Sequence, residues 1–175
     1  MEHYFYTDDL TSERLRTKFL THNDIPDWAV FFEDEEAIEF FPNTNNETNL
    51  ERSAFVIHRQ LKRYADRKFG SQKIIIKETN EWVGLCGLLI QDVNGELKTE
   101  VGYQFFKKYW GNGYAPEAAK IFIDFAQEYQ LSPDIISLID VKNIKSQRVA
   151  EKNGLVRSEK IIWTGLDIYV YRKEL

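Results

Sequence analysis

Apolar positions recur along this chain at two spacings, every second residue and every third or fourth, and the switches between them mark out its elements. Arg14-Leu15-Arg16-Thr17-Lys18-Phe19-Leu20 alternates in part and reads as a first strand after an irregular lead-in over residues 1–12. Thr21-His22-Asn23-Asp24 supplies helix-start side chains for a short helix from Ile25 to Phe32. Phe40-Phe41-Pro42-Asn43 and the Asn/Thr cluster after it read as a loop. Thr48-Asn49-Leu50-Glu51 has the spacing of a capping box, in which two side chains satisfy amides left unpaired at a helix start. Leu50, Ala54, Ile57, Leu61, Tyr64 and Ala65 then predict a long amphipathic helix to about Lys68, stopped near Gly70.

Shorter periods follow. Lys73 to Lys77 is a β-branched strand, Thr79-Asn80 turns the chain, and Trp82 to Gln91 returns. Asn94-Gly95 is a hairpin signal leading to a strand from Leu97 to Phe105. Ala115, Ala119, Phe122, Ala126 and Tyr129 repeat at helical steps, with Pro116 in the first turn where its missing N–H costs nothing. Ile135 to Val141 reads as a buried strand, and Ser146 to Asn153 as a short helix closed by Gly154. Leu155 to Trp163 and Ile168 to Arg172 close the chain as strands around Thr164-Gly165. Hairpins followed by strand–helix–strand units predict an α/β fold (α+β in some schemes) in one domain over residues 1–175. Its mixed central sheet would have six to seven strands flanked by about four helices.

Composition narrows the partners. The chain has 175 residues, 43% hydrophobic and 14% aromatic, enough for a real core. Its 23 basic against 28 acidic residues give a charge of −5, which argues against nucleic acid and membrane surfaces as partners. A single cysteine, Cys86, excludes an internal disulfide and a cysteine-rich zinc site, and its place in a strand assigns it to the core. His3, His22 and His58 lack ligand spacing, so no metal is expected. The first ten residues are acidic and aromatic, and no apolar run approaches a membrane span, which predicts a cytoplasmic setting. Glu33, Asp34, Glu35, Glu36 and Glu39 form an acidic run that is either a solvated face or a surface drawing in a cationic amine.

The most informative stretch is Tyr109-Trp110-Gly111-Asn112-Gly113-Tyr114-Ala115-Pro116-Glu117, between a strand and a helix. Two glycines permit close backbone approach, and the unpaired amides of a helix start point at whatever sits there. The stretch is therefore either a phosphate loop or a plain strand-to-helix turn. It lacks the Gly-Lys-Ser/Thr of a Walker A loop, and Pro116 occupies the third glycine position of a dinucleotide fingerprint.

Four segments together resemble the GNAT N-acetyltransferases, in the branch that contains the ribosomal-protein N-terminal acetyltransferases. Ser12 to Thr17 with Leu20 to Asp24 is similar to the opening strand and helix of that branch. Trp82 to Leu88 resembles its Gly-x-x-Gly strand, Glu100 to Tyr103 followed by Tyr109 to Ala115 its coenzyme A segment, and Asn143 to Leu155 its next motif. The resemblance implies a GNAT fold, acetyl-CoA as donor and an amine as acceptor, either a protein N-terminus or a small molecule such as a polyamine, amino acid or drug. A non-catalytic CoA-binding module is the remaining alternative, and the protomer could be a monomer or a homodimer.

The same resemblance implies the site. Backbone groups of Tyr103 and Phe105 would meet the pantetheine arm, and Trp110, Gly111, Asn112, Gly113, Tyr114 and Ala115 would cradle the pyrophosphate. Trp110 stands where the wider superfamily has Gln or Arg. Asn143 would bond toward the cofactor arm, or is simply a turn asparagine. Ser146 would set a hydroxyl near the CoA sulfur, or is a helix cap. Ala150 stands at the usual tyrosine acid. Glu100 shares a strand face with Gly102 and Gln104, and is either the base, acting through water, or a paired structural carboxylate.

Overall fold

The computed structural model describes residues 7–41 and 48–175. The start of the lead-in, with His3, and most of the Phe40–Asn43 and Asn/Thr loop lie outside the described residues. Seven strands form a mixed sheet: β1 (Leu15–Lys18), β2 (Gln72–Ile76), β3 (Trp82–Val93), β4 (Glu96–Phe105), β5 (Asp134–Asp140), β6 (Val156–Trp163) and β7 (Leu166–Glu174). They lie in the order β1-β2-β3-β4-β5-β7-β6. Every neighbouring pair is antiparallel except β4–β5. Both long hairpins turn on two successive left-handed residues, Asn94 (φ 53°) with Gly95 (φ 86°) and Thr164 (φ 48°) with Gly165 (φ 82°). That geometry matches the twist of the strands it joins.

Five helices flank the sheet: α1 (Ile25–Ala29), α2 (Glu35–Ile38), α3 (Asn49–Ala65), α4 (Tyr114–Glu128) and α5 (Ile144–Lys152). Three differ from the sequence expectation. The helix expected over Ile25 to Phe32 is a short α-helix between two 3₁₀ turns, His22–Asp24 and Val30–Glu33. The acidic run forms α2, because the Asp34 carboxylate accepts the amides of Glu36 and Ala37 at its start. The capping box of Thr48 and Glu51 opens α3 as expected. Its end comes earlier than Gly70: Arg67 turns left-handed (φ 53°), and the Lys68 amide donates to the Arg63 carbonyl.

Each sheet face has its own core. On one, α4 lays Ala118, Ala119, Phe122, Ile123 and Ala126 against Leu15, Ile74, Cys86, Leu88 and Val101, with Ala150 of α5 beside them. On the other, Trp28, Phe31, Val56 and Ile57 pack against Leu85. The Trp28 ring stacks on Phe31 (4.5 Å) and Trp82 (5.5 Å) and meets Phe106 edge-on (5.1 Å), so aromatic contacts fix α1 over the ends of β3 and β4. Lys73 and Asp24 pair at 2.7 Å beneath it. Among the described residues no helix is long and apolar enough to cross a membrane.

Gly84 lies opposite Phe105 in the β3–β4 ladder, and a Cβ there would fall 2.3 Å from the Gln104 carbonyl oxygen and 2.8 Å from Phe105 Cγ. A Cβ on Gly102 would meet only Leu89 Cδ1, at 3.4 Å. Gly84→Ala is expected to cost about 1–3 kcal/mol as an overpacked contact. Gly102→Ala should leave the urea midpoint close to that of the unaltered protein, and comparing the two midpoints checks the assignment.

Candidate functional site

β4 and β5 share one register pair, Glu100 with Ile136, and then diverge. Strand alternation turns the backbone groups of Val101, Tyr103 and Phe105 into the resulting cleft, while the next amide, Phe106, donates back to Val83 of β3. Side chains satisfy part of this open edge. The Ser137 hydroxyl donates to the Val101 carbonyl (3.2 Å), and the Trp110 indole donates to the Phe105 carbonyl (2.9 Å). The Phe105 carbonyl therefore already has one donor, and the Phe105 amide faces the cleft with the Tyr103 amide and carbonyl.

The Tyr103 ring packs on the α4 side, and its hydroxyl donates to the Ser146 carbonyl at 2.9 Å. The hydroxyls of Ser137 and Ser146 lie beside it; burial pushes the phenol up and those two hydroxyls oppose that shift. On the opposite face Glu100 is buried. Its carboxylate accepts from Gln91 Nε2 (2.7 Å) and from the Leu138 amide (3.2 Å). Burial raises the Glu100 carboxyl above its ordinary value, and the two donors only partly offset this.

The glycine loop closes the cleft. Gly111 (φ 81°) and Gly113 (φ 78°) are both left-handed, and the Cβ position of Gly111 meets nothing within 4 Å. No side chain caps α4, and Pro116 in its first turn has no N–H, so the Tyr114 and Ala115 amides face outward from a positive helix end. Such a cradle suits a phosphate-sized anion. The Asn112 side chain locks the turn by donating to the Tyr109 and Trp110 carbonyls (3.0 and 3.2 Å).

The sequence pattern places Arg14 in the first strand and gives no sign of its contacts with the glycine loop and α4. From just before β1 Arg14 reaches Glu117 of α4, which is 103 residues away (Nε···Oε2 2.7 Å), and the Asn112 carbonyl (3.0 Å). It also stacks over the Tyr114 ring, 4.8 Å from the centroid. Contacts between elements so far apart leave no periodicity to read. The acidic run was half legible. Asp34 caps α2, and Glu36 pairs with Lys145 of α5 and with Lys107 beyond β4 (2.9 Å), tying α2 across the mouth of the cleft. Lys145 and then Lys107 hold the Glu36 carboxyl well below the usual carboxylate range. Lys145 Nζ also lies 4.3 Å over the Trp110 ring.

The cap of α5 is Asn143, where the sequence expectation placed Ser146. Asn143 is the N-cap of α5, and its Oδ1 accepts the Ser146 amide at 3.0 Å. Ser146 sits one turn in, which frees its hydroxyl from capping. Cys86 is buried in the core, and burial pushes its thiol up, which suits packing rather than chemistry. Among the described residues no group of three or more His, Cys, Asp or Glu could hold a metal ion. Asn143→Ala is expected to lower stability by about 0.5–2 kcal/mol. Ser146→Ala should fall within about 0.5 kcal/mol of the unaltered protein, and denaturant titration of both variants checks which residue is the cap.

Known proteins share this fold. Residues 14–156 match the family described as an acetyltransferase (GNAT) domain. The uncharacterized N-acetyltransferase p20 of Bacillus licheniformis is 26% identical over 94% of both chains. The uncharacterized protein YkkB of Bacillus subtilis is 38% identical over 56% of this chain, a match that spans 57% of that protein. Among solved structures, RimL, a ribosomal L7/L12 alpha-N-protein acetyltransferase in complex with coenzyme A, has the same fold. It superposes with a TM-score of 0.77 at 13% identity, covering 96% of this chain and 98% of that one. The chain therefore belongs to the GNAT acetyltransferase family.

Proposed function

We propose that the chain acetylates a primary amine, the α-amino group of a protein N-terminus, with Glu100 as the base. The observation that carries this reading is the buried Glu100 carboxylate at the foot of the cleft, held from two sides by Gln91 and Leu138. Two of its roughly four lone-pair sites are used, so a water carrying the amine's proton still finds an acceptor. Its raised pKa brings it closer to the operating pH, where a base is most effective.

The loop suits acetyl-CoA: the Cβ position of Gly111 meets open space, and the first amides of α4 have no side-chain cap. Gly111 to Ala115 would hold the pyrophosphate, the Tyr103 backbone the pantetheine arm, and Asn143 the start of α5 beside it. Bound there, acetyl-CoA supplies the activated acetyl thioester. Ser146 would direct its hydroxyl toward the departing sulfur as a hydrogen-bond donor, because Ala150 offers no acid at that helix position. A thiol with a pKa of about 8.5 leaves readily, so orientation suffices there.

A protein N-terminus is supported by the shared fold with RimL. A small amine is the second reading, favoured by Glu36, whose paired lysines narrow the mouth of the cleft. Release of free CoA thiol should be measured across a panel of N-terminal peptides, polyamines and amino acids. Turnover confined to peptides supports the first reading, turnover confined to small amines the second, and CoA binding without thiol release under any acceptor would overturn both.

Glu100→Gln keeps the shape and removes the basicity, and kcat is expected to fall about 10²–10⁴-fold. A fall smaller than about threefold across the pH range would make Glu100 structural. In the unaltered enzyme the rate should drop with acidity on a limb above the ordinary carboxylate range near 4.3, and that limb should vanish in the variant. The stability effect has the opposite sign. A raised carboxyl pKa means that the folded state binds its proton more tightly. The group therefore favours folding at low pH and opposes it as pH rises through the folded pKa. Glu100→Gln should accordingly be at least as stable as the unaltered protein at neutral pH.

A further inference from the structure

We propose that Arg14 is a positioning residue for the donor's pyrophosphate, shaping the Gly111–Ala115 turn from the neighbouring strand edge and offsetting the charge of Glu117 beside it. An ordinary surface ion pair would contribute little. This one is different in form. The Glu117 carboxylate gathers four donors: the Ser12 hydroxyl (2.7 Å), the Arg14 amide (2.8 Å), Arg14 Nε (2.7 Å) and Arg14 Nη2 (2.6 Å). The remaining arm, Nη1, holds the Asn112 carbonyl at 3.0 Å. A planar fork spans both partners at once, which an ammonium cannot do.

Two consequences follow for the loop. Across a trans peptide the carbonyl and the next N–H point in opposite directions. Drawing the Asn112 carbonyl toward Arg14 therefore turns the Gly113 N–H away from it. Glu117 sits in the first turn of α4, next to the amides that receive the phosphates. Burial works to raise its carboxyl, but the donors from Ser12 and Arg14 outweigh that and hold it low, so it is charged at neutral pH. Without Arg14 that charge would repel a pyrophosphate. The guanidinium also flanks the turn directly, with Nη2 lying 3.4 Å from the Cβ position of Gly113.

Calorimetry with acetyl-CoA tests this without any acceptor, so its outcome is separate from the identity of the amine. Arg14→Met is expected to raise Kd about tenfold or more, and Arg14→Lys, which keeps the charge and loses the fork, at least about threefold. In turnover the loss should fall on KM for acetyl-CoA rather than on kcat. KM for S-acetylpantetheine, which lacks the pyrophosphate, should not move. Unchanged Kd in Arg14→Lys overturns the role of the fork. Equal losses with acetyl-CoA and S-acetylpantetheine would mean that Arg14 merely supports the fold, and would overturn the proposal as a whole. Arg14→Lys preserves the ion pair, so it decides the matter even if Arg14→Met does not fold.

Discussion

One backbone pair, Glu100 with Ile136, governs the rest of the molecule. On one side of it β4 and β5 belong to a single sheet; on the other they part, and a sheet interior that parts must find other partners for its amides and carbonyls. Ser137 and Trp110 meet two of the carbonyls, Glu100 takes the Leu138 amide, and Tyr103 clasps the start of α5. Beyond those partners the cleft is still bordered by the backbone of Tyr103 and by the first amides of a helix with no side-chain cap.

The two faces of the sheet then divide the labour. The α4 side is tight because small alanines bring the helix close to the strands, and that closeness fixes where the glycine loop ends and α4 begins. The other side is built from large rings, and Trp28 ties α1 to Trp82 and Phe106, close to where β4 enters the cleft. From there the chain runs on through the Asp34 cap into α2, whose Glu36 reaches both flanks of the mouth. Aromatic packing thus holds the segment that leads to the mouth of the cleft.

Features set by neighbouring residues were legible from the sequence. Asn94-Gly95, Thr164-Gly165, the Thr48–Glu51 box and Pro116 each impose their geometry within four residues, and each stands where the pattern put it. The glycine loop was legible for the same reason. Competing local choices were not. Asn143 and Ser146 can both cap α5, and the preceding turn selects Asn143. Arg67 ends α3 in a left-handed conformation that glycine would normally take, so waiting for Gly70 overran the helix. Asp34 looked like one charge among five until its carboxylate proved to start a helix. The Arg14–Glu117 fork is invisible by nature, since nothing near either residue announces the other.

That long reach bears on the order in which the molecule assembles. β1 finds its ladder partner at residues 73–76, and the side chain of Arg14 just before it finds its own at residue 117. The second of these contacts spans 103 residues, and contacts of such high sequence separation are slow to close. The loop at the head of α4 is therefore completed late, when β1 docks at the sheet edge and Arg14 meets a helix that lies far along the chain.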